Sequence, residues 1–188
     1  MEESYQEIWK LVEPLLFKAK RKDFLIHTKM VEKAMREIIA GEGGDTTFLI
    51  PAAILHDVGW SEVSEKLQLA KDEERKNKAL QEHIQKAPKI IRELLTKVNY
   101  DKDKIERIVD IVVAHKFTEP KEKEKQILID ADTLSDTYKE SFYSDVKSYG
   151  STPREIWEFR SKNTFYTKTA KEIFERELND RQKEINNK

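Results

Sequence analysis

Cysteine is absent from the 188-residue chain. Disulfides, thiolate zinc sites and cysteine nucleophiles are thereby excluded, and the expected setting is a reducing one, the cytoplasm. An excess of either charge is also missing. The 35 Lys and Arg residues stand against 36 Asp and Glu, for a formal net charge of −1. Such a balance speaks against a protein that binds nucleic acid by neutralising its phosphates. No apolar run approaches the roughly 20 residues that a membrane span needs. The first seven residues, MEESYQE, are acidic and lack the basic-then-apolar layout of a secretory signal. Strict apolar–polar alternation and Asn-Gly hairpin turns are absent as well, so no strand is expected. No internal repeat stands out.

What is present is helical spacing. Hydrophobic residues account for 38% of the chain and charged residues for another 38%, with the apolar ones gathered in periodic patches. The length suits a single domain over residues 1–188, with a core at about 20–140 and C-terminal helices at about 152–180 packed on it. The fold class is therefore all-α.

In chain order, Ser4 and Glu7 have the spacing of a capping box. Ile8, Leu11, Val12, Leu15 and Leu16 follow as a helix that Pro14 kinks or ends. The basic stretch Lys18 to Lys22 reads as a connector. Asp23 can cap a second helix, which runs to about Ala40 and stops at the glycines that follow. Val31, Ala34 and Ile38 form its inner stripe, and His27 shares their face. A third helix starts near Thr47 with Pro51 in its first turn. It carries Ile54, Leu55, His56 and Asp57 and ends near Gly59. Residues 61–78 read as a mobile loop with one helical turn between Val63 and Leu69. Leu80, His83, Ala87, Ile90, Ile91 and Leu94 make the next stripe, in which Pro88 either kinks one helix or begins another. Asp103 can cap a helix from Lys104 to Lys116, with Ile108, Ile111, Val112 and His115 inward. Glu119 to Lys125 reads as a solvated charge run, and Ile127 to Leu134 as a helix carrying Asp130 and Asp132. Thr152, Pro153 and Glu155 have the spacing of a capped helix start. A helix or helix pair follows, then a polar, frayed tail from about Asp180.

The chemistry is concentrated at His56 and Asp57, two strong metal ligands at the end of an otherwise apolar run. Buried ionisable groups are costly unless something satisfies them. A lone histidine on an apolar face is ordinarily a satisfied core residue. Here, however, the chain has four histidines, and at least three of them fall on the apolar stripe of a different helix. Adjacent helical residues point about 100° apart, so His56 can face one ion while Asp57, with two oxygens, bridges to another. Asp132 shares a face with Leu128 and Ile129. Asp130 is its competitor, and Asp132 is preferred. The donor set is then His27, His56, Asp57, His83, His115 and Asp132. Nitrogen and oxygen donors without sulfur suit Mn, Fe, Co, Ni or Zn. Six donors exceed the needs of one open site and suit two ions sharing a carboxylate, so one or two ions are expected.

The order His27, His56-Asp57 and Asp132 resembles the signature of the HD superfamily of metal-dependent phosphohydrolases. The helices around His83 and His115 are similar to the two extra histidine helices of its binuclear members, and residues 129–134 resemble its closing aspartate helix. The resemblance implies an all-α HD-domain helical bundle. It also implies a first metal on His27, His56, Asp57 and Asp132, and a second on His83 and His115 with Asp57 as bridge. Trp60 departs from the lysine found at that place in some cyclic-dinucleotide phosphodiesterases of the superfamily. The expected activity is hydrolysis of a phosphoester or phosphoanhydride of a nucleotide or other small phosphorylated metabolite. A metal-activated water would attack phosphorus, oriented by Asp57 or Asp132. Lys116 is the best-placed cation for the phosphate, ahead of Arg154 and Arg160. Two alternatives remain: a di-iron oxygenase on the same ligands, and a non-catalytic nucleotide-sensing module. Neither a membrane nor a nucleic acid is expected as a partner, and the oligomeric state is left open.

Overall fold

The computed structural model describes residues 2–20 and 23–187. Ten α-helices and one 3₁₀ turn are found among the described residues, which contain no strand. The helices are α1 (Glu2–Leu16), α2 (Phe24–Glu42), α3 (Thr46–Leu55), α4 (Glu65–Gln68), α5 (Glu73–Lys97), α6 (Lys102–Val113), α7 (Lys123–Ser135), α8 (Lys139–Tyr149), α9 (Pro153–Arg160) and α10 (Lys168–Asn186). The 3₁₀ turn, Val58–Glu62, lies between α3 and α4. None of the described helices is long and apolar enough to cross a membrane.

Helix α3 is the axis around which the others pack. Every residue from Leu49 to Leu55 is buried, so the helix beyond its first turn is apolar all round and has no solvent face. Helices α1, α2, α6 and α7 lie against it. Helix α5 runs beside α6 and the 3₁₀ turn, α8 sits against α2 and α9, and α10 closes over α2, α7 and α9. The apolar spacing explains the contacts: Val31, Ala34 and Ile38 of α2 and Ile108, Ile111 and Val112 of α6 are all fully buried.

Pro51 sits well inside α3 rather than in its first turn. A proline has no N–H, so the Thr47 carbonyl loses its helical partner. The Tyr100 hydroxyl supplies that donor at 2.7 Å. On the neighbouring carbonyl, Thr46, the Tyr5 hydroxyl donates at 2.9 Å. Pro88 neither breaks nor restarts α5, which is one continuous helix. Ile84 and Pro88 are both half-buried, so the Ile84 carbonyl that the proline leaves free can meet water.

Several boundaries differ from the sequence reading. Ser4 and Glu7 lie within α1, which is already helical from Glu2, so they form no capping box. Arg21 and Lys22, the end of the expected basic connector, lie outside the described residues. Helix α2 runs to Glu42 and stops at Gly43, whose φ of 73° suits glycine and whose N–H closes on Ile39. Asp101, not Asp103, caps α6 by accepting from the Asp103 N–H at 3.0 Å. Most of the expected loop at 61–78 is ordered into α4 and the start of α5. The expected frayed tail is the second half of α10, tied down by Glu184, which accepts from Lys139 and from the Tyr143 hydroxyl, each at 2.9 Å. The capping box at Thr152 and Glu155 is formed in both directions.

Candidate metal centre

Six elements each bring part of the centre. His27 sits in the first turn of α2. His56 follows the last residue of α3 with helical dihedrals, φ −56° and ψ −34°. Asp57 then leaves the α-helix, at φ −102° and ψ 4°, and starts the 3₁₀ turn. The sequence reading carried α3 on to Gly59. The helix stops earlier, at Leu55, and Gly59 lies in the 3₁₀ turn packed closely against α5. A Cβ there would lie 2.2 Å from the His83 carbonyl oxygen. His83 comes from α5, Asp132 from α7, and His115 from the turn just beyond α6.

These six side chains are brought together, and all six residues are buried. The Nε2 atoms of His27 and His56 are 3.2 Å apart. Asp57 Oδ2 faces both, at 3.6 Å and 3.4 Å. Its other oxygen, Oδ1, faces His83 Nε2 at 3.5 Å. Asp132 Oδ1 lies 3.2 Å from His27 Nε2 and 3.8 Å from His56 Nε2. The His115 ring lies 5.5 Å from those of both His56 and His83. Two donor groups result: His27, His56 and Asp57, and then Asp57, His83 and His115, each with its atoms within 4.8 Å of one another. Asp130 is absent from this cluster. Its carboxylate accepts from the Tyr166 N–H and from the Thr167 N–H and hydroxyl, at 2.9, 2.7 and 2.7 Å.

The outward nitrogens decide which atoms remain free. His56 Nδ1 donates to the Ala53 carbonyl at 2.8 Å, and His115 Nδ1 to the Val112 carbonyl at 2.5 Å. A carbonyl can only accept, so both rings carry their proton on Nδ1 and turn an Nε2 lone pair inward. His27 Nδ1 faces the Ser135 hydroxyl at 3.1 Å and Asp136 at 3.5 Å. His115 Nε2 and both nitrogens of His83 are buried without a hydrogen-bond partner. Buried lone pairs without a donor are expensive, and a cation satisfies them. The donors are all nitrogen and oxygen, which fits divalent transition metals.

The charges are arranged around that inner space. Burial opposes the charged form of His27, but hydrogen bonds to Asp132 and Asp136 outweigh it and push its pKa up to about 10. Burial draws the His83 pKa down to about 4. Burial, with Lys116 next in effect, holds His115 well below the ordinary histidine value. Asp57 and Asp132 are held well below the usual carboxylate range despite their burial. For Asp57 the cause is His56, His27 and His83, and for Asp132 it is chiefly Lys116 and His27.

A cavity of about 220 Å³ opens onto the cluster. His27, Asp57, Asp132, Asp136 and Lys116 line it together with Phe24, Trp60 and Leu80. Lys116 is hydrogen-bonded to Asp132 Oδ2. Arg154 is elsewhere, exposed and bonded to Asn186 at 3.3 Å. Arg160 is held behind the cavity by Asp136, at 2.6 Å, and by Asp145. Asp136 and Trp60 are the members that the sequence reading did not assign to the centre. Asp136 lies four residues past Asp132, a helical spacing that could have flagged it.

Fold and site together define an all-α protein with two groups of buried donors that could hold a metal ion. A model of the HD domain matches residues 24–137, more than half of the chain, and the chain belongs to that family. All six donor residues lie in the matched segment. Members of the superfamily are mostly metal-dependent hydrolases. No curated protein and no solved structure matches the chain significantly.

Proposed function

We propose that the protein hydrolyses a phosphoester or phosphoanhydride of a small phosphorylated metabolite, a nucleotide foremost. The observation that carries this reading is the pair of donor groups sharing Asp57, beside a cavity that also holds an ammonium, Lys116. His27, His56, Asp57 and Asp132 would hold a first divalent metal, and Asp57, His83 and His115 a second. A divalent metal supplies positive charge for phosphoryl oxygens and lowers the pKa of water towards about 7. Asp57 and Asp132 stay ionised and can accept hydrogen bonds from the attacking water, orienting it. The Lys116 ammonium has three N–H donors and spends one on Asp132. The others are free to meet a phosphoryl oxygen. Its charge is secure because the Asp132 and Asp57 carboxylates outweigh burial and raise its pKa. Phe24, Trp60 and Leu80 keep that side of the cavity apolar.

The cavity, about 220 Å³, is below the roughly 300–1,000 Å³ of pockets that enclose a whole small ligand. It suits a phosphoryl group and its immediate surroundings, with the rest of the substrate extending to the surface. The test is phosphate release from a panel of nucleotides and sugar phosphates with Mn(II), Co(II) or Ni(II). Turnover is expected, and Asp57→Ala is expected to abolish it with the far-UV circular dichroism retained. No release across the panel would overturn the reading. Oxygen consumption by the iron-loaded protein would point to oxygenase chemistry in its place.

A further inference from the structure

Three of the four imidazoles of the centre are steered at Nδ1: His56 by Ala53, His115 by Val112, and His27 by Ser135. His83 is the exception, with both nitrogens buried and without a partner. Its ring is held by an aromatic face instead. Trp60 stacks on it with ring centroids 4.9 Å apart and planes 10° apart. Gly59 completes the fit, since a Cβ there would lie 2.8 Å from His83 Nδ1.

Trp60 is itself well anchored. Phe24 packs on it at 5.8 Å between ring centres. Gln68 Nε2 donates to the carbonyls of Trp60, at 3.0 Å, and Val63, at 2.7 Å. Lys86 donates to the Glu62 carbonyl. The far end of the 3₁₀ turn is thus tied to α4 and α5. Its near end is Asp57, whose Oδ1 faces His83 Nε2.

We propose that Trp60 is the positioning residue for His83, and that the subsite of Asp57, His83 and His115 is the weaker of two and fills second. The proposal rests on the cation reading above. Stacking fixes the plane of an imidazole but not which way round the ring stands: a 180° turn about Cβ–Cγ keeps the plane and exchanges Nε2 for Cε1, and with neither nitrogen bonded nothing sets the tautomer. A hydrogen bond at Nδ1 also fixes where Nε2 points. His83 therefore still has a ring orientation and a tautomer to settle when a cation binds, whereas the other three rings are already aimed. The charges favour the same order. The first subsite faces two carboxylates, Asp57 and Asp132. The second faces Asp57 alone, and shares it.

The test titrates Co(II) alone into the full chain after chelator treatment, counting ions by calorimetry and following tryptophan fluorescence. Two events are expected, separated by about tenfold or more, with the second quenching part of the emission. Trp60→Leu is expected to weaken the second event by about 10–100-fold, the usual cost of removing the support of a ligating histidine. The first event should stay within about threefold, since its rings keep their own hydrogen bonds. Trp60→Phe keeps an aromatic face and should recover most of the loss. Two events of equal affinity in the native chain overturn the proposal. So does a second event that leaves native tryptophan emission unchanged, a readout that does not depend on whether Trp60→Leu folds. Absence of any Co(II) binding by the folded native chain would instead remove the cation reading itself.

Discussion

Asp130 and Asp132 stand two residues apart, and both are buried. Their surroundings separate them completely. Asp130 faces away from the centre and receives two backbone N–H groups and a hydroxyl at the start of α10. Asp132 faces His27, His56 and Lys116. Replacing Asp130 with Ala is therefore expected to cost about 1–3 kcal/mol of stability, from donors left buried without an acceptor, and to leave Co(II) binding intact. Asp132→Ala should weaken the first binding event, which Asp130→Ala spares. Urea titration and calorimetry on the two variants check this, and a swapped pattern would contradict the assignment. The preference for Asp132 was legible because it shares a helical face with Leu128 and Ile129. What Asp130 does was not legible, because its partners Tyr166 and Thr167 lie more than 35 residues away. Trp60 was hidden in the same way: its sequence position says nothing of the His83 ring that it covers.

Among the elements, α3 has the least expected detail. Tyr100→Phe removes the hydroxyl offered to the Thr47 carbonyl in place of the proline N–H. The expected loss is about 0.5–1.5 kcal/mol, the usual net worth of a hydrogen bond, since Thr47 and Tyr100 are half-buried. A guanidinium or urea titration reads it directly, and a change well below 0.5 kcal/mol would show that water reaches that carbonyl. Elements with strong apolar stripes, α2, α5 and α6, were readable from spacing alone. Helix α8 was not read at all, since Phe142 is the one large apolar side chain it buries. The second half of α10 was read as a frayed tail because its sequence is polar. It is held by Glu184 and by the bond from Trp157 Nε1 to the Leu178 carbonyl at 3.0 Å. Both are long-range contacts without a local signature.

For the molecule as a whole, the cluster sets the dependence of stability on pH. Without cations, His27 holds its proton more tightly than a free imidazole, at about 10 against 6.5. Its contribution is full below pH 6.5 and is lost as pH rises towards about 10. His83 has the opposite sign, because its pKa falls from 6.5 to about 4. Acid protonates the unfolded imidazole first, so stability drains away between those two values. Asp57 and Asp132, held low, add stability above the ordinary 3.8 that is lost in stronger acid. The melting temperature in chelator is expected to peak near pH 6.5, between the two histidine limbs. Added Co(II) should lift the alkaline limb most, because there the cation replaces a proton that is already leaving. A melting temperature that rises steadily to pH 9 in chelator would contradict this account, since His27 loses its proton towards about 10.

The proline in α3 also bears on how the chain assembles. Two carbonyls of this helix take hydroxyls from residues 41 positions earlier and 53 positions later. A ribosome delivers α3 well before it delivers Tyr100. Until that tyrosine emerges and docks, the most apolar of the described helices has an open carbonyl and lacks the cover of α6 and α7. Contacts of such long sequence separation slow folding, because the intervening loop must close before they form. The consolidation of α3 is therefore a late and collective event, and a nascent chain halted before residue 100 exposes its stickiest segment.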